Sequence, residues 1–257
     1  MTTTTCLNCD NGFLGNFCPD CGQKAKTGKI DINYVQEEAK YTLLHLNNGF
    51  LYTTKQMLTR PGFAIREFID GKRVRHYKPL LYLFVMAGLY GFLLHYFVDF
   101  KEMMNIDEST AVSGDVNGTE LLLKGLDWMA AHYSIVEVIY LPIIALSSYL
   151  AFRKWGYNFI EHLIINAYAG GLRLAVSILT FPLIYLTAGT TWSMLLTSVI
   201  SVITMVMTGW LYLQFFKDKP LDQAILRAIL AIAYIFIISL LIGIAFGIIY
   251  IVMFIKY

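Results

Sequence analysis

The chain is short of charge. Asp, Glu, Lys and Arg make up only 15% of its 257 residues, against 57% hydrophobic residues. An average soluble domain carries roughly 25% charged residues. The shortage is local: residues 80–97 hold no charged side chain, and the final 123 residues hold 11 of the 38. A soluble globule needs charge around its whole surface, so that class is excluded. Cysteine is confined to the first 21 residues, where all four lie. Met1 to Asp10 has neither a basic start nor an apolar run, which argues against a cleavable signal peptide. Cys6 lacks the preceding apolar stretch of a lipoprotein signal. The first membrane helix is therefore expected to act as its own uncleaved targeting signal. His-Glu-x-x-His is absent, and no nucleophile–base or open-metal constellation stands out, so the chain reads as a non-enzyme.

What remains is a polar N-terminal part followed by long apolar runs. Five runs can cross ~30 Å of hydrocarbon, which takes ~20 helical residues. They fall at about 80–97, 135–152, 160–186, 192–216 and 228–255. Glu137 and Pro142 interrupt the second, and Arg173 and Pro182 the third. The fifth is long enough to need tilt or projection from the bilayer. The spacing predicts an all-α polytopic membrane protein of about five spans, preceded by a short zinc ribbon and interfacial amphipathic helices. The expected divisions are 1–26 for the ribbon, 27–79 for linker and interfacial helices, and 80–257 for the bundle, with an external loop at 98–134.

Lys and Arg resist translocation and choose the orientation. With the N-terminus inside, inner segments carry 16 Lys and Arg and outer segments only Lys101, Lys124 and Lys256. Residues 98–134 add seven acids to that outer side. The expected N-terminus is cytoplasmic, and an odd number of spans places Tyr257 outside.

Cys6-Leu7-Asn8-Cys9 and Cys18-Pro19-Asp20-Cys21 form two C-x-x-C pairs eight residues apart. That spacing fits a structural zinc site, in which each tight turn aims two thiolates at one ion. Redox-active thiols and disulfides are the competing readings, and a reducing cytoplasm disfavours disulfides. Four thiolates saturate tetrahedral zinc and leave no position for a reacting water, so such a metal is structural. The folded ribbon would then serve either as a cap on the N-terminal tail or as a module that docks protein or nucleic acid.

Beyond a basic linker, Tyr34, Ala39, Leu43, Leu46 and Phe50 approximate one face of a helix over Asp31 to Leu58. This helix is expected along the membrane surface or beneath the bundle. Thr59-Arg60-Pro61-Gly62 breaks it, and Phe63 to Ile69 gives a further short helix. Lys72, Arg73, Arg75 and Lys78 then abut the first span, a position that suits anionic lipid headgroups or a partner. Contact with RNA or a ribosome is a second reading of that segment, because basic and aromatic residues interleave in it.

Cys6-x-x-Cys9, Phe17-Cys18-Pro19-x-Cys21-Gly22-Gln23, Asn48-Gly49-Phe50-Leu51-Tyr52-Thr53, Thr59-Arg60-Pro61-Gly62 and Gly71-Lys72-Arg73-x-x-x-Tyr77-x-Pro79 occur in that order. With Asn158-Phe159-x-Glu161-His162-Leu163, this series resembles a family of bacterial multi-pass proteins catalogued only as a domain of unknown function. The first knuckle departs from it in ending with Asp10 rather than glycine. The resemblance implies an integral protein of a bacterial inner membrane, and it brings neither catalytic residues nor a substrate.

Ionisable groups inside spans are costly and mark candidate sites. At 100° per residue, His162, Asn166, Arg173, Ser177 and Thr180 fall within about 60° of one another on the third span. This stripe is expected to face the bundle interior, with Arg173 paired to Glu137 of the second span. The bland reading is a buried ion pair with interhelical hydrogen bonds; the sharper one is a polar path for an ion or small solute. Glu161 is expected at the cytoplasmic interface near Arg153 or Lys154. Gly243 and Gly247, four apart, permit close helix contact. The function class that fits best is an accessory or scaffold protein docking a membrane or cytoplasmic partner, with a transporter or channel as the alternative.

Overall fold

A computed structural model of the chain describes residues 3–34, 36, 49–100 and 116–255. Thr4–Thr5 (β1) pairs antiparallel with Gly12–Phe13 (β2) in a minimal hairpin. The remaining regular structure among the described residues is helical, apart from an isolated bridge between Phe17 and Lys24. Asp31 Oδ1 accepts the Tyr34 N–H at 3.0 Å, the hydrogen bond of a helix start. That bond holds the Asp31 carboxyl below its ordinary range. Residues 32–34 and 36 are helical, while Ala39, Leu43 and Leu46 of the expected amphipathic face lie outside the described residues.

Helix α1 runs Gly49–Thr59 and α2 runs Pro61–Ile69, with Arg60 alone between them. Proline at the first position of α2 forfeits only an N–H that has no helical partner there. The orphan N–H of Gly62 is satisfied from another element, donating to Gln214 Oε1 at 3.1 Å. Five longer helices follow the basic loop, with one shorter helix among them. They are α3 Pro79–Phe97, α4 Val116–Ala131, α5 Tyr133–Phe152, α6 Phe159–Leu186, α7 Thr191–Phe215 and α8 Leu221–Ile255. A short 3-10 turn at Arg153–Trp155 and left-handed Gly156 reverse the chain between α5 and α6. α5 and α6 continue through Pro142 and Pro182, so neither proline ends a span.

Among the described residues, five helices are long and apolar enough to cross a membrane: α3, α5 with its 3-10 extension, α6, α7 and the Leu221–Ile244 part of α8. The fold is all-α and polytopic. α6 is the central element and touches α1, α2, α3, α5 and α7; α8 lies outside, mainly on α5. α3 contributes Tyr82 and Leu83, both essentially buried, to the core shared with Tyr168 and Leu172 of α6. At the end of the bundle nearest the hairpin, Phe152 stacks on Tyr212 and Phe216, with Trp155 edge-on to Phe216. α7 and α8 show long rows of exposed Leu, Ile, Val and Phe, as helices in hydrocarbon do.

Two boundaries differ from the sequence expectation. α5 begins at Tyr133, directly after His132 and the end of α4, because α4 runs almost unbroken into the span. α8 begins at Leu221, seven residues before its expected start at Ala228. The start follows Pro220, whose carbonyl accepts the Ala224 N–H at 3.0 Å, with Asp222 in the first turn; further along, Arg227 Nη1 donates to the Ala151 carbonyl at 2.6 Å and its guanidinium stacks over Trp155. The Arg227 contact caps the C-terminal end of α5. At 35 residues, α8 reaches ~52 Å, more than a hydrocarbon core spans.

Candidate metal centre and intramembrane polar sites

Each cysteine pair sits in the same backbone turn. In the first, the Cys6 N–H donates to the Asn11 carbonyl and the Asp10 N–H to the Cys6 carbonyl, both at 2.9 Å. In the second, the Cys18 N–H donates to the Gln23 carbonyl at 2.8 Å and the Gly22 N–H to the Cys18 carbonyl at 2.9 Å. Both turns need a left-handed residue at the fourth position after the first cysteine. Gly22 supplies it with φ 74° and Asp10 with φ 60°. Aspartate is among the few non-glycine residues that visit this region readily, which reconciles the first knuckle's missing glycine with an intact turn.

The two turns face each other. Cys6 Sγ lies 3.5 Å from Cys21 Sγ and Cys9 Sγ 3.5 Å from Cys18 Sγ, and all four sulfurs fall within 4.8 Å of one another. A disulfide needs about 2.05 Å, and all four cysteines are free. Four sulfurs at ~2.3 Å from one tetrahedral ion would stand ~3.8 Å apart, so the set fits a four-thiolate metal centre. Burial opposes charge on Cys6, yet the backbone N–H groups of Asn8 and Cys9, with the Cys21 sulfur, bring it down to about 7. At Cys9 the Asn11 backbone favours the thiolate, but desolvation and the Cys18, Cys21 and Cys6 sulfurs push it up to about 12. Cys6 and Cys18 are buried with Phe13, Cys9 is exposed and Cys21 is half-buried.

Gln23 of the second knuckle and Leu7 of the first fasten the centre to the loop after α2. Gln23 Nε2 donates to the Gly71 carbonyl at 2.8 Å, and Gln23 Oε1 accepts the Arg73 N–H at 3.3 Å. Leu7 presses on Gly71, where an added Cβ would stand 2.8 Å from Leu7 Cδ1 and where φ is +113°. Further along, Asn158 Nδ2 donates to the carbonyl of fully buried Ile30 at 3.1 Å, holding the linker onto the start of α6.

Arg73 differs from the other members of the basic segment. It is engaged within the protein: its Nε donates to the Phe68 carbonyl, its Nη2 to the Gly28 carbonyl, and its guanidinium covers Tyr34 and Phe68. Arginine's fork fits such a role, joining the linker to the loop after α2. Lys72 and Arg75 are exposed, and Lys78 is half-buried. Lys72, Arg75, Arg60, Glu67, Tyr52 and His76 form one wall of a cleft of about 610 Å³, whose other wall is Asn8, Cys9, Asp20 and Cys21. Arg60 is engaged there with Glu67, at 2.8 and 3.1 Å, and with Gln56.

His76 is buried edge-on to Tyr52 and Phe68, and its Nδ1 has no partner among the described residues. Burial drives its pKa down to about 4, against the pull of Glu67 and with a further push from Arg60. The folded protein therefore holds His76 neutral. Its contribution to stability is complete above the ordinary pKa of 6.5 and is lost as pH falls towards 4. The loss amounts to about 3 kcal/mol. An NMR titration of the imidazole should show a midpoint near 4; a midpoint at the ordinary value would mean that the ring reaches water.

Within the spans the expected stripe divides into two sites. His162 and Asn166 are buried at the end of α6 nearest the hairpin. His162 Nδ1 lies 3.0 Å from Ser148 Oγ, Asn166 Nδ2 donates to Ser148 Oγ at 2.7 Å, and Tyr212 O–H donates to Asn166 Oδ1 at 2.8 Å. This network joins α5, α6 and α7. Ser148 and Tyr212 escaped the sequence reading, although adjacent Ser147 and Ser148 in an apolar run were a signal. Tyr212 gave none, being one aromatic among many. Glu161 is buried, and it completes a capping box with Asn158 in the first turn of α6. Its Oε2 accepts the Asn158 N–H at 2.7 Å while Asn158 Oδ1 accepts the Glu161 N–H at 2.8 Å.

The second site lies further along α6. Arg173 Nη2 is 3.5 Å from Glu137 Oε2, and Glu137 Oε1 accepts the Tyr133 O–H at 3.1 Å. Arg173 Nε is buried without a hydrogen-bond partner among the described residues. Ser177 and Thr180 are half-buried, and Thr180 turns to the Val176 carbonyl of its own helix. Gly243 meets nothing within 4 Å, so no close helix contact forms on it. Arg173→Leu should destabilise the protein, and adding Glu137→Gln should recover about 1–3 kcal/mol of the loss. Reversible unfolding in micelles measures the cycle; strictly additive effects would mean that the two groups do not interact.

Residues 47–91 match a family described as "Protein of unknown function (DUF3667)". No curated protein and no solved structure matches the chain. The matched segment holds α1, α2, the loop that receives Gln23, and the first part of α3. It is shorter than the motif series running from Cys6 to Leu163, so the cysteine centre and the start of α6 lie outside it.

Proposed function

We propose that this protein is a non-enzymatic scaffold of a bacterial inner membrane, with a cytoplasmic, zinc-loaded module that docks a protein partner together with α1 and α2. The observation that carries this reading is the attachment of the cysteine module to the loop after α2 through Gln23, Leu7 and Gly71. Through those contacts the module, α1 and α2 present one continuous surface on one end of the bundle. Cys6, Cys9, Cys18 and Cys21 would supply all four ligands of a tetrahedral ion, which leaves structure rather than catalysis as the metal's role. The distribution of Lys and Arg, 16 inside and three outside, supports the cytoplasmic placement.

The test is cross-linking in intact cells followed by purification in mild detergent, comparing the native chain with the Cys18→Ser, Cys21→Ser variant. A defined partner that is lost in the variant, while the spans remain folded, is the expected result. A partner retained by the variant, or none with the native chain, overturns the reading.

Transport of an ion or small anion is a second reading, favoured by the unpartnered Nε of Arg173 beside Glu137 inside the spans. It requires solute flux in liposomes that Arg173→Leu abolishes and the cysteine variant does not.

A further inference from the structure

We infer that Lys72 and Arg75 are the countercharge of the metal centre. The inference rests on the reading of the four cysteines as a loaded site. Four thiolates around one divalent cation form a dianion, and a dianion at a protein surface needs positive charge close by. The two ligands that are not fully buried, Cys9 and Cys21, are the two that line the cleft. Asp20 lines it beside them and adds a further negative charge to the module's wall.

Three cations stand on the other wall. Arg60 is already neutralised by its two-pronged pair with Glu67. Lys72 and Arg75 are exposed and have no ion-pair partner among the described residues. Their backbone is fixed relative to the sulfurs, since Gln23 grips Gly71 and Arg73 on either side of Lys72. The Lys72 N–H also donates to the Glu67 carbonyl at 2.8 Å, and the His76 N–H, next to Arg75, donates to the Arg73 carbonyl at 3.2 Å. A lipid phosphate entering this cleft would meet Asp20 and the thiolates as well as the two cations. The charge pattern therefore favours the module itself as what these two residues serve.

The test uses the full chain in detergent, with Zn2+ alone titrated against a chromophoric chelator. The Lys72→Ala, Arg75→Ala variant should bind Zn2+ about tenfold more weakly at low salt. The deficit should shrink in about 1 M salt, where screening acts within ~3 Å. The charge-preserving Lys72→Arg, Arg75→Lys variant should restore the affinity. Co2+ in place of Zn2+ should give the same sulfur-to-metal absorption band in all variants, because the ligands are untouched. An affinity within twofold of the native chain overturns the inference. If phosphatidylglycerol raises the melting temperature of the native chain but not of that variant, the two residues belong to headgroups. A tenfold loss that salt leaves unchanged and the charge-preserving variant does not repair also overturns it, and assigns the residues to docking of the module. A native chain that holds no Zn2+ at all fails the earlier reading instead, which the native titration alone reveals.

Discussion

Replacing Cys18 by Ser is expected to release the metal and unfold the N-terminal module while the membrane bundle stays folded. The module has almost no core of its own: Cys6, Phe13 and Cys18 are its buried apolar residues, with Cys21 and Ala25 packed against them. A two-residue-per-strand hairpin is not stable in water by itself. On the proposed reading metal binding supplies the folding free energy, and structural zinc provides about 10–16 kcal/mol in small peptides. Cys18 is buried, with its sulfur 3.5 Å from Cys9 and both its backbone groups closing the second knuckle. Hydrogen exchange would read the result directly. Residues 3–26 should lose protection, and so should Gly71 to His76, because Gln23 and Leu7 no longer cover that loop. The amides of α3, α5 and α6 should keep theirs. A chelator added to the native chain should reproduce the pattern. A module that remains protected without metal would show that side-chain packing alone holds it, and the four-thiolate centre would then lose its structural role.

Much of this was legible in the sequence, for reasons that differ between the two halves of the chain. Hydropathy located the five spans because each must present some twenty apolar residues to hydrocarbon, a demand that tolerates few exceptions. The cysteines were legible because their ligand spacing is fixed by the geometry of a turn. Glu137 and Arg173 were legible because two opposite charges in adjacent spans have few other partners. Arg73 was not. A run of basic residues beside a span reads as a lipid contact, and nothing local reveals that one member folds back over Tyr34 and Phe68. Gln23 was also missed as the residue that fixes the module, because its partners are backbone groups 48 and 50 residues away. Such bonds depend on chain geometry and leave no residue pattern. The early start of α8 was missed for another reason: its first turns after Pro220 carry Asp222 and Arg227, so a hydropathy boundary excludes them.

Gly62→Ala should be among the most damaging single-methyl changes in the protein. A Cβ on Gly62 would lie 2.4 Å from the Leu211 carbonyl oxygen, 2.4 Å from the Phe215 nitrogen and 2.5 Å from Gln214 Cβ. Two of these are backbone atoms inside α7, so no rotamer change can make room. α2 would have to lift away from α7 and take three interactions with it. These are the Gly62 N–H to Gln214 bond, the ion pair of Arg66 with Asp218, and Lys217 over the Phe63 ring. Overpacking of this kind costs about 1–3 kcal/mol, and the abandoned hydrogen bond adds about 1 kcal/mol. The control is Gly125→Ala on α4, where an added Cβ meets nothing within 4 Å. There the same substitution should be neutral or stabilise by up to about 1 kcal/mol, the helix preference of alanine over glycine. Thermal unfolding in micelles should thus move in opposite directions for two identical chemical changes. If Gly62→Ala unfolds with the native midpoint, α2 cannot sit on α7 as described. The surface shared by the module, α1 and α2 would then lose one of its attachments, leaving α1 on α6 and the Asn158–Ile30 and Tyr168–Tyr77 bonds to hold it on the spans.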